Sequence, residues 1–237
     1  MKFENNGYCY CCDENTKFVA LNEWFRDHYT CSICASIPRE RALMYSIETF
    51  FPGWQECVIH ESSPCERGAS IKLIDKALIY IPSQYYPDIK PGTLHGTTRC
   101  ENLEDLTFQD SSIDLHITQD VMEHIFSPDK AFREIARTLR PGGMHIFTVP
   151  LVNKNNPTEI CSKIGPGGDI IHLCEPEYHG NPVSEQGSLV TRKWGYDICD
   201  YIFKTSGLFT RFIHIDSIDL GIRAEFIEVL ITIKPKN

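Results

Sequence analysis

The sequence predicts an α/β protein: a mostly parallel sheet with helices on both faces, an antiparallel pair of strands at its end, and a small cysteine-bound module in front. Three observations carry that expectation. Short β-branched strands alternate with amphipathic stretches of about 10–15 residues from the late fifties to residue 149, as parallel strands require because each needs a crossover. Two strand-like runs lie close together near residue 233, and four early cysteines stand in two C-x2-C pairs. A chain of 237 residues with 42% apolar composition holds one sizeable core and one appendage. The expected division is a module over residues 1–37 and a main domain over 38–237.

Cys9, Cys12, Cys31 and Cys34 come first. Two C-x2-C turns, each aiming both sulfurs at one centre, can close a tetrahedral zinc-ribbon-like site around Zn²⁺. All four positions are then taken by protein, so this metal is structural and leaves no place for a reacting water. Cys11 competes with Cys9 for one position, but only Cys9 keeps the two-residue gap to Cys12. Eleven cysteines, an odd number, and no apolar export core over residues 1–7 lead us to expect a reducing cytoplasm rather than disulfides. No run of 18 apolar residues occurs, so no membrane span is expected. The net charge of −9 and pI near 5.5 argue against a nonspecific grip on nucleic acid, which needs surplus Lys and Arg. The module is not basic either: Lys2, Lys17, Arg26, Arg39 and Arg41 face seven carboxylates within residues 1–50.

Residues 38–51 read as a helix, with Pro38 at its first position and Leu43, Ile47 and Phe50 or Phe51 on one face. Pro52-Gly53 ends it. A strand at 57–60, a helix near 66–76 and a strand at 77–81 follow. Residues 113–118 form another apolar strand, then a helix over 128–139 begins with Ser127 as N-cap and Pro128 at N1. The turn Arg140-Pro-Gly-Gly143 stops that helix and feeds a strand at 144–149. From 150 to 190 the chain turns to Pro, Gly, Asn, His and Glu without periodicity, a loop long enough to be functional. A helix over 191–206, closed by Gly207, and strands near 209–215 and 225–233 complete the expected order.

The segments Glu101-Asn-Leu-Glu-Asp-Leu-Thr-Phe-Gln-Asp-Ser-Ser-Ile-Asp-Leu-His-Ile-Thr-Gln-Asp-Val-Met-Glu-His124 and Leu139-Arg-Pro-Gly-Gly143 resemble class I S-adenosylmethionine-dependent methyltransferases, most closely the methyltransferase type 11 group. The resemblance spans roughly residues 55–150 and implies a Rossmann-like seven-stranded sheet with a reversed final hairpin. It also implies S-adenosylmethionine as cofactor. In the stretch Glu61-Ser-Ser-Pro-Cys-Glu-Arg-Gly68, Glu61 takes the family's acidic position, while Ser62 and Ser63 stand where glycines are expected and Gly68 remains. Ser63 then lines the cofactor turn. Where the family has an acid for the ribose, this chain has Pro82-Ser83-Gln84, so Ser83 or Gln84 takes that role. Glu101 or Asn102 falls at the adenine position.

Gln119 and Asp120 lie just past a strand's carboxyl end, where open α/β sheets bind ligands, which makes Asp120 a better site candidate than Glu123 or His124. Methyl transfer to oxygen needs alignment and a general base. His172 or His179 is expected to accept the proton, with Glu175 or Glu177 orienting it. A second metal on His172, Glu175 and His179 lacks a strong ligand spacing. The favoured expectation is an O-methyltransferase for a small molecule or glycan. The alternatives are a zinc-ribbon RNA methyltransferase, for which only Arg39 and Arg41 stand beside the cysteines, and a catalytically silent module with a methyltransferase fold.

Overall fold

The computed structural model describes residues 2–181 and 183–236; Pro182, within the expected loop, lies outside them. Strands β1 (Phe3–Cys9), β2 (Glu14–Ala20) and β3 (Tyr29–Cys31) form a three-stranded antiparallel sheet, with the single turn α1 (Phe25–His28) between the last two. Helix α2 (Pro38–Phe50) follows, its start fixed by Pro38 and by the Glu40 carboxylate, which accepts the Ile37 N–H at 3.1 Å. That bond satisfies one of the donors a helix start would leave unpaired.

The main sheet contains β4 (Val58–Ser62), β5 (Ile79–Gln84), β6 (Leu94–His95), β7 (Thr98–Cys100), β8 (Ile113–Gln119), β9 (Leu139–Thr148) and, after a polar region, β16 (Phe209–Ile213) and β17 (Val229–Ile233). Their order is β16-β17-β9-β8-β4-β5-β7-β6. The five strands from β9 to β7 run parallel, and β17 is antiparallel to both β9 and β16. This is the expected seven-stranded arrangement with its reversed hairpin, extended by the two-residue edge strand β6. Crossover helices α3 (Gly68–Lys76) and α4 (Pro128–Thr138) follow β4 and β8.

Alternation along β9 sorts the core onto two faces. Ile146 packs with Leu43, Met44 and Ile47 of α2 and with Phe18 and Tyr29 of the N-terminal sheet, in one continuous apolar cluster. Phe147 packs on the opposite face with Phe132 of α4 and with Ile198 and Ile202 of α5 (Ile198–Ser206). The module thus shares its core with the main sheet. Arg41, fully buried, strengthens that union: it donates to the Gly221 and Tyr29 carbonyls and lies 4.6 Å from the Phe18 ring centroid.

Two expectations need correction. The helix expected over 191–206 begins only at Ile198. Thr191 instead donates its N–H and hydroxyl to the Glu123 carbonyl, Tyr196 N–H bonds the Lys154 carbonyl, and a Cβ on Gly195 would lie 2.2 Å from the Asn156 oxygen. These tertiary bonds hold residues 191–195 out of the helix, and a turn at 196–197 leads into α5. The region expected as an irregular loop contains β10 (Glu159–Ile160), β11 (Ser162–Ile164), β12 (Ile170–His172), β13 (Tyr178–Asn181), β14 (Ser184–Leu189) and β15 (Arg192–Lys193), paired as β10-β15, β11-β12 and β13-β14. These strands are short and largely exposed, so no alternation of apolar residues marked them.

Candidate functional site

The direction of winding reverses at β4: the chain moves outward to β5 and β7 on one side and to β8 and β9 on the other. Ser62 pairs with Thr118 across β4 and β8, so the turns leaving these two strands are neighbours, at the kind of position where open α/β sheets bind ligands. Both turns start on a left-handed residue, Ser63 at φ 55° and Asp120 at φ 52°. Ser63 thus adopts the backbone of the missing glycine turn, and its N–H donates to the Ser83 carbonyl at 2.7 Å.

Glu61 lies buried at this reversal point. Its buried carboxylate accepts from Ser70 Oγ at 2.7 Å, Tyr80 OH at 2.7 Å and Gln119 Nε2 at 2.8 Å, joining β4, α3, β5 and β8. Burial pushes its pKa up, against the pull of those donors. The other side of the Gln119 amide is unused: Oε1 is buried and has no hydrogen-bond partner among the described residues.

Asp120 is held by the amino-terminal part of the chain. Arg26 Nη2 donates to its Oδ2 at 2.6 Å, Arg39 Nε lies 3.1 Å from the same oxygen, and Thr148 Oγ1 donates to Oδ1 at 2.9 Å. Burial alone would raise the carboxyl, but Arg39 and then Arg26 outweigh it and hold the pKa down at about 2. Asp120 is therefore an anchored anion. The Arg39 Nε and Nη1 atoms are buried without hydrogen-bond geometry to any described residue. Beside them Glu40 pairs with Arg67 at 2.9 Å, and a Cβ on Gly68 (φ 58°) would sit 2.3 Å from Glu40 Oε2.

The other expected cofactor residues sit elsewhere in the hydrogen-bond pattern. Ser83 Oγ is 2.7 Å from His60 Nε2, within the sheet. Gln84 is half-buried at the carboxyl end of β5. Glu101 accepts from Thr107 N–H at 2.9 Å and pairs with Arg99, while Asn102 Oδ1 accepts the Glu104 N–H at 2.9 Å. His172 is exposed on β12, 3.0 Å from Ser162 Oγ. His179, on β13, comes together with Glu123 and His124, the ligand atoms of all three lying within 4.8 Å of one another.

Sequence reasoning passed over Arg26 and Arg39 as site residues, since they lie far ahead of the family-like segment. Their position just after a turn and just inside a proline-started helix was the only signal. Ser70 and Tyr80 carried none.

The four cysteines meet as spaced. Cys9, Cys12, Cys31 and Cys34 offer sulfurs all within 4.8 Å of one another, with Cys9 to Cys34 at 3.7 Å and Cys12 to Cys31 at 3.9 Å. Cys11 is buried outside that group. Burial, then the neighbouring Cys9, pushes Cys12 up to about 12, and the sulfurs of Cys31 and Cys9 push Cys34 up as well.

Comparison with known proteins agrees with this architecture. Residues 74–147 match the family described as a methyltransferase domain. Among solved structures, an S-adenosylmethionine-dependent methyltransferase from Mesorhizobium loti is 13% identical, covers 81% of this chain and 97% of its own, and superposes with a TM-score of 0.51. A chain from the Haloferax volcanii complex between the Trm112 methyltransferase activator and a methyltransferase is 16% identical, with 84% and 91% covered and a TM-score of 0.52. No curated protein matches. The chain has the class I S-adenosylmethionine-dependent methyltransferase fold. Its segment from α3 to β9 carries the family match, on the same stretch that the sequence motifs singled out.

Proposed function

We propose that this protein is an S-adenosylmethionine-dependent methyltransferase acting on a hydroxyl of a small molecule or glycan. The observation that carries the cofactor assignment is the pair of unsatisfied atoms at the reversal point, Arg39 Nη1, left over after Nε pairs with Asp120, and Gln119 Oε1. Buried polar groups without partners are costly, and this pair complements an α-amino acid: guanidinium N–H groups for the carboxylate, an amide oxygen for the ammonium. The methionine end of the cofactor satisfies both. Glu61, through its bond to Gln119, fixes which way that amide faces, and Ser63 holds the left-handed backbone of the family's glycine turn. Gln84 is assigned to the ribose, since Ser83 already bonds His60.

Bound S-adenosylmethionine supplies an activated methyl on a sulfonium. This chain's part would be to align the acceptor hydroxyl with that methyl and to take up the proton the hydroxyl loses, passing it on to water. His179 rather than His172 is assigned to contact the acceptor hydroxyl, because it joins Glu123 and His124, which follow β8 directly. The polar hairpin and the overall negative charge suit a neutral hydroxylated acceptor better than a polyanion.

The cysteine cluster is assigned to structural Zn²⁺. A tetrahedron with metal–sulfur bonds of about 2.3 Å has edges of about 3.8 Å, and the two close sulfur pairs stand at 3.7 and 3.9 Å. A dication also relieves the crowding that drives Cys12 and Cys34 up. The module then serves as a metal-held brace whose Arg26 reaches Asp120.

Calorimetry with S-adenosylhomocysteine on wild type and Arg39→Gln tests the cofactor reading. Loss of a charge-assisted hydrogen bond is worth about 1.5–3 kcal/mol, so the variant should bind about 10- to 150-fold more weakly; equal affinity would reject the assignment of Arg39. A silent module is the second reading, motivated by Glu101 being engaged by Arg99 and Thr107, and it requires that wild type give no heat.

A further inference from the structure

Glu123 is 2% exposed, and neither of its carboxylate oxygens has a hydrogen-bond partner among the described residues. Protonation does not repair this, because the acid's hydroxyl and carbonyl would still both lack partners. The polar groups that face it are two imidazoles: His124 Nε2 at 3.7 Å and His179 Nδ1 at 3.9 Å from Oε1. Those separations are too long for hydrogen bonds. They are slightly wider than the roughly 3.4 Å between two ligands of one tetrahedral ion with bonds of about 2.1 Å, a gap that small side-chain movements close.

The outer partners of both rings point the same way. His124 Nδ1 is 2.9 Å from the Leu189 carbonyl. A carbonyl only accepts, so Nδ1 carries the proton and the Nε2 lone pair turns toward Glu123. His179 Nε2 lies 3.4 Å from Glu177 Oε1, which leaves Nδ1 toward Glu123. An imidazole that donates from one nitrogen to a carbonyl or carboxylate and offers the other is the usual arrangement of a metal-binding histidine. The rings stand perpendicular with centroids 5.1 Å apart.

We propose that Glu123, His124 and His179 hold a divalent cation of zinc-like preference, separate from the cysteine cluster. Two imidazoles and one carboxylate suit Zn²⁺ and similar first-row ions, and three protein ligands leave at least one position open. This is the composition of a reactive site rather than a closed structural one. Two ligands follow β8 and the third comes from β13, so the ion fastens the β13-β14 hairpin beside the strand ends.

The binding claim stands apart from methyl transfer. Its catalytic consequence rests on the proposed activity: an acceptor hydroxyl in the open position becomes more acidic on the cation, and His179 then acts as ligand.

Co²⁺ titration of the full chain, stripped of metal under reducing conditions, tests the site. A four-thiolate site gives intense sulfur-to-cobalt charge-transfer absorption, whereas an N₂O site gives only weak visible bands. Wild type is expected to take up one equivalent without thiolate absorption. His179→Ala, on the half-exposed hairpin, and Glu123→Gln should each bind that equivalent at least about tenfold more weakly. Any thiolate absorption remains unchanged as a check that residues 9–34 stay folded. Absence of the thiolate-free equivalent in wild type, or unchanged affinity in both variants, overturns the proposal. S-adenosylhomocysteine calorimetry on the same samples separates the two ideas: a thiolate-free cobalt site with no cofactor heat keeps the metal site and removes the methyltransferase reading.

Discussion

Replacing Asp120 with Asn removes the anion that two arginines share. Their side chains are 10% and 12% exposed, and that of Asp120 is 16% exposed. A carboxyl moved from 3.8 to about 2 is ionised more favourably in the fold by about 2 kcal/mol. The loss on substitution is larger, because Arg39 stays buried and unneutralised; breaking a buried pair from one side costs about 3–5 kcal/mol. Arg26→Met keeps the stem packed and leaves Arg39 to neutralise Asp120, so it should cost about 1–2 kcal/mol. In urea unfolding at pH 7, the double variant should fall short of additivity by about 1–3 kcal/mol. The folded pKa is depressed, so the contribution is present above the unfolded value near 4 and is lost as pH falls from about 4 to about 2. An Asp120→Asn midpoint within about 0.5 kcal/mol of wild type, or full additivity with Arg26→Met, refutes the idea that this pairing couples the amino-terminal module to the site.

Three further outcomes are expected. Burial holds His60 and His145 down at about 3 and pushes His116 well below its ordinary value, so the unfolded chain binds more protons below about pH 6.5 and stability falls with pH there. At pH 5 each histidine held near 3 removes about 2 kcal/mol; urea midpoints of His145→Asn should show that much less loss between pH 7.5 and pH 5, and equal slopes would contradict the neutral core imidazole. Gly68→Ala combines φ 58° with a Cβ 2.3 Å from Glu40 Oε2 and should destabilise by about 1–3 kcal/mol, measured by thermal unfolding; wild-type stability would show that Glu40 does not crowd this turn. Chelation of zinc should expose residues 1–35 to hydrogen exchange before the main sheet, and retained protection of that segment would contradict a metal-held module.

The parallel sheet was legible because its central strands β4, β8 and β9 are largely buried and its crossover helices include one with a clear start, Ser127-Pro128 before α4. The zinc-type spacing was legible because ligand geometry depends on short local turns. What stayed hidden is tertiary. Arg39 is an ordinary charge on a helix until α2 packs over the strand ends. Which of His172 and His179 meets a buried carboxylate could not be read from the sequence, since only the β13-β14 pairing carries one of them to Glu123. The non-helical path of 191–197 follows from bonds to residues about 40 to 70 positions away, which no local pattern records.

Titration calorimetry of the zinc-loaded chain with S-adenosylhomocysteine tests the central claim most directly. One ligand per chain, with affinity reduced in both Arg39→Gln and Gln119→Leu, is the outcome that the reversal-point site requires. Wild type giving neither heat nor a thermal shift across micromolar to millimolar ligand would contradict it.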